Sequence, residues 1–180
     1  MNSDQAAEIA DLYEQHALAV HRYALRRSDR ETADEVTAQV FLVAWRRRSS
    51  VPEDALPWLY GVARRVLADQ RRSASRRRRL GERLRSEAGH DEPGLVLEDG
   101  CLADALNRIP ARDREALLLR YWEELEPGQI ARVMGCSRAA MAVRLHRARL
   151  RLHRALEALA DPRPEDHEHE GSCVTRTEPT

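Results

Sequence analysis

Lysine is absent from this chain of 180 residues, so all 30 basic side chains are arginine. The guanidinium offers a planar fork that suits phosphate and base edges better than a point charge does, although a GC-rich coding sequence produces the same bias. Aromatics are scarce at 4%, and 8 glycines and 8 prolines are few for this length. With Ala, Leu, Arg and Glu dominant, the backbone is expected to be mostly helix with short connections. No stretch alternates convincingly in a strand pattern. Cys101, Cys136 and Cys173 form an odd set without a C-x-x-C pair, which gives no disulfide framework and suits a reducing cytosol. No apolar run approaches the ~18 residues of a membrane span, and the N-terminus lacks a signal-peptide pattern. A soluble, cytoplasmic protein without membrane insertion is expected.

The formal net charge of zero hides a segregation. Residues 64–85 hold ten arginines against Asp69 and Glu82, and residues 135–154 hold six arginines and no acid. Acids gather in 86–100 (SEAGHDEPGLVLEDG) and in the tail between Glu157 and Glu170. Two basic surfaces are implied, with acidic segments that discourage nonspecific adhesion to DNA.

Apolar residues recur at helical spacing around Leu12, Leu18 and Leu25, then Val36, Val40 and Val43, then Leu59, Val62 and Val66. The predicted fold is all-α: two small helical domains, an N-terminal bundle over 1–85 and a C-terminal helix-turn-helix domain over 101–160. A flexible acidic linker, 86–100, joins them, and 161–180 is expected to be a disordered tail.

The strongest local signal is LEPGQIARVMGCSRAAMAVRLHRAR at 125–149, which reads as a helix-turn-helix. Pro127 opens a helix with Ile130, Val133 and Met134 inward, Gly135 permits the chain reversal, and Ser137 caps the next helix. Met141, Leu145, Ala148 and Leu152 form one buried stripe on that helix. The opposite side presents Arg138, Ala139, Ala140, Val143, Arg144 and Arg147, small residues for close approach to a groove and arginines for phosphates or guanine.

Earlier in the chain come ADEVTAQVFLVAWRR (33–47), the polar loop SSVPEDA, and LPWLYGVARRVLADQRRS (56–73). Together with 108–152, these blocks closely resemble the extracytoplasmic-function (ECF) group of the sigma-70 family, in its actinobacterial style. The resemblance spans about residues 9–159. It implies a transcription initiation factor that binds core RNA polymerase through the beta-prime clamp helices and the beta flap. Asp34, Glu35, Ala38, Gln39 and Leu42 would face the clamp. Ser50, Glu53 and Asp54 would capture a flipped base of the minus-ten element, with Arg64, Arg65, Arg71 and Arg72 on its backbone. Ser137, Arg138, Ala139, Ala140, Val143, Arg144 and Arg147 would read the duplex minus-thirty-five element. An anti-sigma partner and a nucleoid-associated location are further expectations. Glu126 stands where the family often has Ser or Thr, and a carboxylate there still suits a helix N-terminus.

No phosphate-cradling glycine loop, H-E-x-x-H or coherent nucleophile, base and orienter is present, so neither an enzyme nor a cofactor is expected. A dimeric operator-binding regulator would account for the C-terminal half but leaves 33–73 without a purpose. His167, His169 and Cys173 resemble a weak metal cluster, read here as a solvated acidic tail. Trp58, Trp45 and Trp122 are expected in cores rather than as stacking platforms.

Overall fold

A computed structural model describes residues 3–82 and 100–160; the expected linker up to its last residue, Gly100, which opens a helix, and the expected tail with the His167/His169/Cys173 group lie outside them. The described residues form seven α-helices and no strand, in keeping with the all-α expectation. The first half comprises α1 (Ser3–Leu25), α2 (Arg30–Arg46), a short 3-10 turn (Arg48–Ser50) and α3 (Ala55–Glu82). The second comprises α4 (Gly100–Arg108), α5 (Ala111–Tyr121), α6 (Pro127–Met134) and α7 (Arg138–Ala160). None of these helices is long and apolar enough to cross a membrane.

Local chemistry sets the boundaries. Asp29 caps α2 by accepting from the Thr32 amide at 2.8 Å. Proline opens α6, where a missing N–H costs nothing, and α6 ends on Gly135 at φ 66°. Gln129 Oε1 accepts from the Glu126 amide at 2.9 Å, one arm of a capping box, so the departure at Glu126 leaves the helix start intact. Ser137 Oγ accepts from the Ala140 amide at 3.2 Å and starts α7 as predicted.

Burial follows the predicted stripes with one correction. Val36, Val40, Leu59 and Val62 are buried, as are Ile130, Val133, Met141, Leu145 and Ala148. On α1, however, Leu18 and Leu25 are exposed, and the inward stripe is Val20, Tyr23 and Ala24. The expected leucine spacing fits a helix, but the face it marks is rotated away from α2 and α3. Trp58 and Trp122 pack against core clusters, and Trp45 is half-buried.

The halves share a core. Val20, Tyr23, Val40 and Leu59 belong to one apolar cluster with Leu119, Leu125, Ile130 and Val133 of the second half. Helix α6 lies along α3, close enough that a Cβ added to Gly61 would stand 3.9 Å from Val133 Cα. A smaller cluster, Leu106, Ile109, Leu117 and Ala148, fastens α4 and α5 to α7.

Candidate nucleic-acid interface and the junction behind it

Helix α7 carries the predicted reading surface. Because Met141, Leu145 and Ala148 are driven inward, Arg138, Ala139, Ala140, Val143 and Arg147 are left in solvent. Ala139, Ala140, Val143, Arg144 and Arg147 line one shallow depression together with Asp113 and Arg151. Arg144 differs from its expectation as a free reader. It is half-buried, and its Nη1 donates to Asp113 Oδ1 at 3.0 Å, while Arg151 holds the other oxygen of the same buried carboxylate. Asp113 was not foreseen: it is 2% exposed, and two arginines compensate it. It pins α7 to the start of α5 and fixes the direction of Arg144.

The residues expected to face the clamp also come together. Glu35, Ala38, Gln39 and Leu42 line a shallow groove of α2 with Gln70 and Ser73 of α3, and Leu42 is exposed. Val36, Val40 and Phe41 point the other way, into the bundle. Asp34 does not line this groove; its Oδ1 lies 2.9 Å from His21 Nε2 of α1, whereas Gln70 donates to Glu35 at 3.3 Å within it.

The predicted capture loop is divided. Ser50 and Glu53 are exposed, at the end of the 3-10 turn and just before α3. Asp54 is exposed too, but accepts from Gln129 Nε2 at 3.1 Å and Arg132 Nη2 at 2.6 Å, both on α6. These hydrogen bonds hold its carboxyl below the usual range. Of the accompanying arginines, Arg65 donates to Gly61 O at 2.9 Å, Arg71 donates to Arg27 O at 2.9 Å, and Arg72 pairs with Asp69. Arg64 is half-buried near Glu115.

Behind these surfaces is a polar cluster that no local pattern announced. Arg27, 5% exposed, donates through Nε to Glu115 at 2.9 Å and through Nη1 to Glu123 at 3.1 Å. Arg26 pairs with the same Glu123, Tyr23 donates to Glu115 at 2.8 Å, and the Arg27 guanidinium lies 3.7 Å from the Tyr23 ring centre. Burial alone would raise Glu115, but Arg27 outweighs it and the carboxyl is held below its ordinary value. Burial pushes the Tyr23 hydroxyl well up, and the Glu115 charge adds to the shift. Every pair here joins α1 or the turn after it to α5 or the turn that follows α5, across about 90 residues of chain.

Residues 12–77 match the model for Sigma-70 region 2, and residues 99–152 match that for Sigma-70, region 4. The chain belongs to the ECF sigma factors. It is 32% identical over 163 residues to the ECF RNA polymerase sigma factor SigL of Mycobacterium tuberculosis, covering 86% of this chain and 92% of SigL. It is also 32% identical to the ECF factor BldN of Streptomyces coelicolor, over 84% of this chain and 61% of BldN. Among solved structures, the sigma factor RpoE of Bartonella quintana, in complex with the anti-sigma factor NepR, shares the fold at a TM-score of 0.65 and 22% identity. That match covers 83% of this sigma factor and 97% of RpoE. CnrH, solved with the cytosolic domain of CnrY, has a TM-score of 0.57 at 21% identity, over 83% and 88% of the two chains. Family membership gives this chain the role of a promoter-specificity subunit of RNA polymerase.

Proposed function

We propose that this sigma factor binds core polymerase through α2, captures a minus-ten base at Ser50, Glu53 and Asp54, and reads the minus-thirty-five duplex with the N-terminal half of α7. The observation that carries the reading is the exposed face of α7, small residues flanked by Arg138 and Arg147, on the same chain as the groove at Glu35, Gln39 and Leu42. Its work is binding free energy spent on opening DNA: duplex contacts set register, and base capture offsets a melting cost of a few kcal/mol. Nucleotide addition stays with the polymerase. The protein acts in the cytoplasm at the nucleoid, and an anti-sigma protein restrains it, as NepR binds RpoE.

The shared core adds a requirement. A compact chain of this length has a radius of gyration of about 16 Å, hence a diameter of about 40 Å. Elements named for positions ten and thirty-five lie about 25 base pairs apart, about 85 Å along straight duplex. The two halves therefore separate when both elements are read, and Asp54 leaves Gln129 and Arg132 to meet a base.

Complementary variants test the reading by run-off transcription and polymerase pull-down. Arg147→Ala weakens promoter-dependent transcription and leaves polymerase binding intact; charge reversal at Asp34 and Glu35 does the opposite. Loss of DNA affinity alone in both would overturn the assignment of α2.

A further inference from the structure

Between the two halves lies a cavity of about 160 Å³ with Leu67, Ala68 and Leu118 on its apolar side. Six arginines line it: Arg26, Arg27, Arg64 and Arg71 from the first half, Arg112 and Arg114 from the second. Glu115 is the sole acid of the lining among the described residues, and Arg27 and Tyr23 already engage its two oxygens. Arg27 is buried, and its Nε and Nη1 are bonded; among the described residues its Nη2 has no hydrogen-bond partner, and Arg26 Nε is a second buried donor without one. Both nitrogens are themselves closed off from water, so an anion in the cavity would compensate these cations through its charge rather than by a direct hydrogen bond.

The geometry also selects the kind of anion. The arginines border the cavity from the turn after α1, from α3 and from α5, three sides rather than one plane. A carboxylate presents its two oxygens in a plane, whereas a phosphoryl group presents oxygens tetrahedrally and accepts guanidinium forks from several sides. Ala111 and Arg112, the first residues of α5, lie in the lining, so the positive end of that helix adds to the field.

We propose that this cavity binds a small phosphoryl anion: phosphate, diphosphate or the phosphate end of a small metabolite. Its ligands come from both halves, so bound anion stabilises the joined form and opposes the separation that promoter reading requires. Arg64 and Arg71 serve both this site and the minus-ten surface, so a DNA backbone is the competing source of the same chemistry.

Titration calorimetry and thermal unfolding of the full chain with diphosphate, at ionic strength matched by chloride, test the site. One saturable site per chain is expected, with a Tm rise that chloride does not reproduce. Arg112→Ala, an exposed change at the rim, should weaken diphosphate binding about tenfold, one fewer charge-assisted contact. Arg138→Ala on the reading face should leave it unchanged. Equal losses in the two variants, or an equal Tm rise with chloride, would mean nonspecific attraction and overturn the site. If a single-stranded oligonucleotide loses as much affinity as diphosphate on Arg112→Ala, DNA backbone is the occupant and the small-anion assignment fails.

Discussion

Arginine does opposite work in two regions of this molecule. At the junction, Arg27 is buried under Tyr23 and divided between Glu115 and Glu123. On α7, Arg138 and Arg147 stand in solvent. The first kind belongs to the structure: its charge is compensated inside the protein, and removing it takes the ion pair from Glu115 and one of two partners from Glu123. The second kind is left for a partner, because nothing intramolecular rewards an exposed ion pair by more than about 1 kcal/mol. Arg144 lies between them, half-buried on Asp113 yet lining the reading depression. In a chain whose cations are all arginine, burial and partners separate scaffold from reader, and composition does not.

The largest effect should come from making the junction permanent. Cysteines at Gly61 and Val133, in a chain with Cys101, Cys136 and Cys173 changed to Ser, place two thiols across the α3–α6 contact, where a Cβ at 61 stands 3.9 Å from Val133 Cα. Oxidation should lower run-off transcription from a two-element promoter more than about tenfold, and reductant should restore it. Normal transcription by a fully cross-linked chain would show that both elements are reached with the halves joined. Next in size is Arg27→Met, which takes the ion pair from Glu115 and leaves Glu123 with Arg26 alone. A loss of about 3–5 kcal/mol in urea unfolding is expected, against about 0.5 kcal/mol or less for Arg147→Ala.

How much of this was readable beforehand follows the range of the interactions. The α6–α7 unit was, because Pro127, Gly135 and Ser137 act within a few residues of themselves, and the Met141, Leu145, Ala148 stripe is a periodicity. Helix α1 is legible as a helix but not in its facing: Leu18 and Leu25 stand outward, and the inward face is set by Val20, Tyr23 and Ala24, with Tyr23 stacked on Tyr60 of α3. The junction left no local mark. Arg27 resembles any arginine near a helix end, and Glu115 and Glu123 resemble solvated acids until the chain brings them together. Asp113 was hidden for the same reason, its partners Arg144 and Arg151 being 31 and 38 residues away.

On the reader side, Arg147→Ala should weaken promoter binding by about 1–3 kcal/mol if it meets a base edge. If it meets only phosphate, the loss is uniform across sequences and the salt slope falls by about one. Arg144→Ala should add a stability loss that Arg147→Ala lacks, since Asp113 loses one of two partners.

The smallest and broadest effect is that of pH on the junction. Glu115 and Asp54 have lowered folded-state values, so their contribution is present above the unfolded carboxyl range and is lost as pH falls through the folded values, below about pH 4. Tyr23 has a raised folded-state value, so its contribution is complete below the unfolded phenol value and is lost as pH rises beyond about 10. Thermal stability of the full chain should therefore be flat through neutrality with respect to these groups and fall at both extremes. Glu115→Gln should abolish the acid limb due to that residue and leave the one due to Asp54, whose partners are on α6. If the acid limb persists undiminished, the α1–α5 pairs are not what holds the halves together, and the apolar contact of α3 with α6 is.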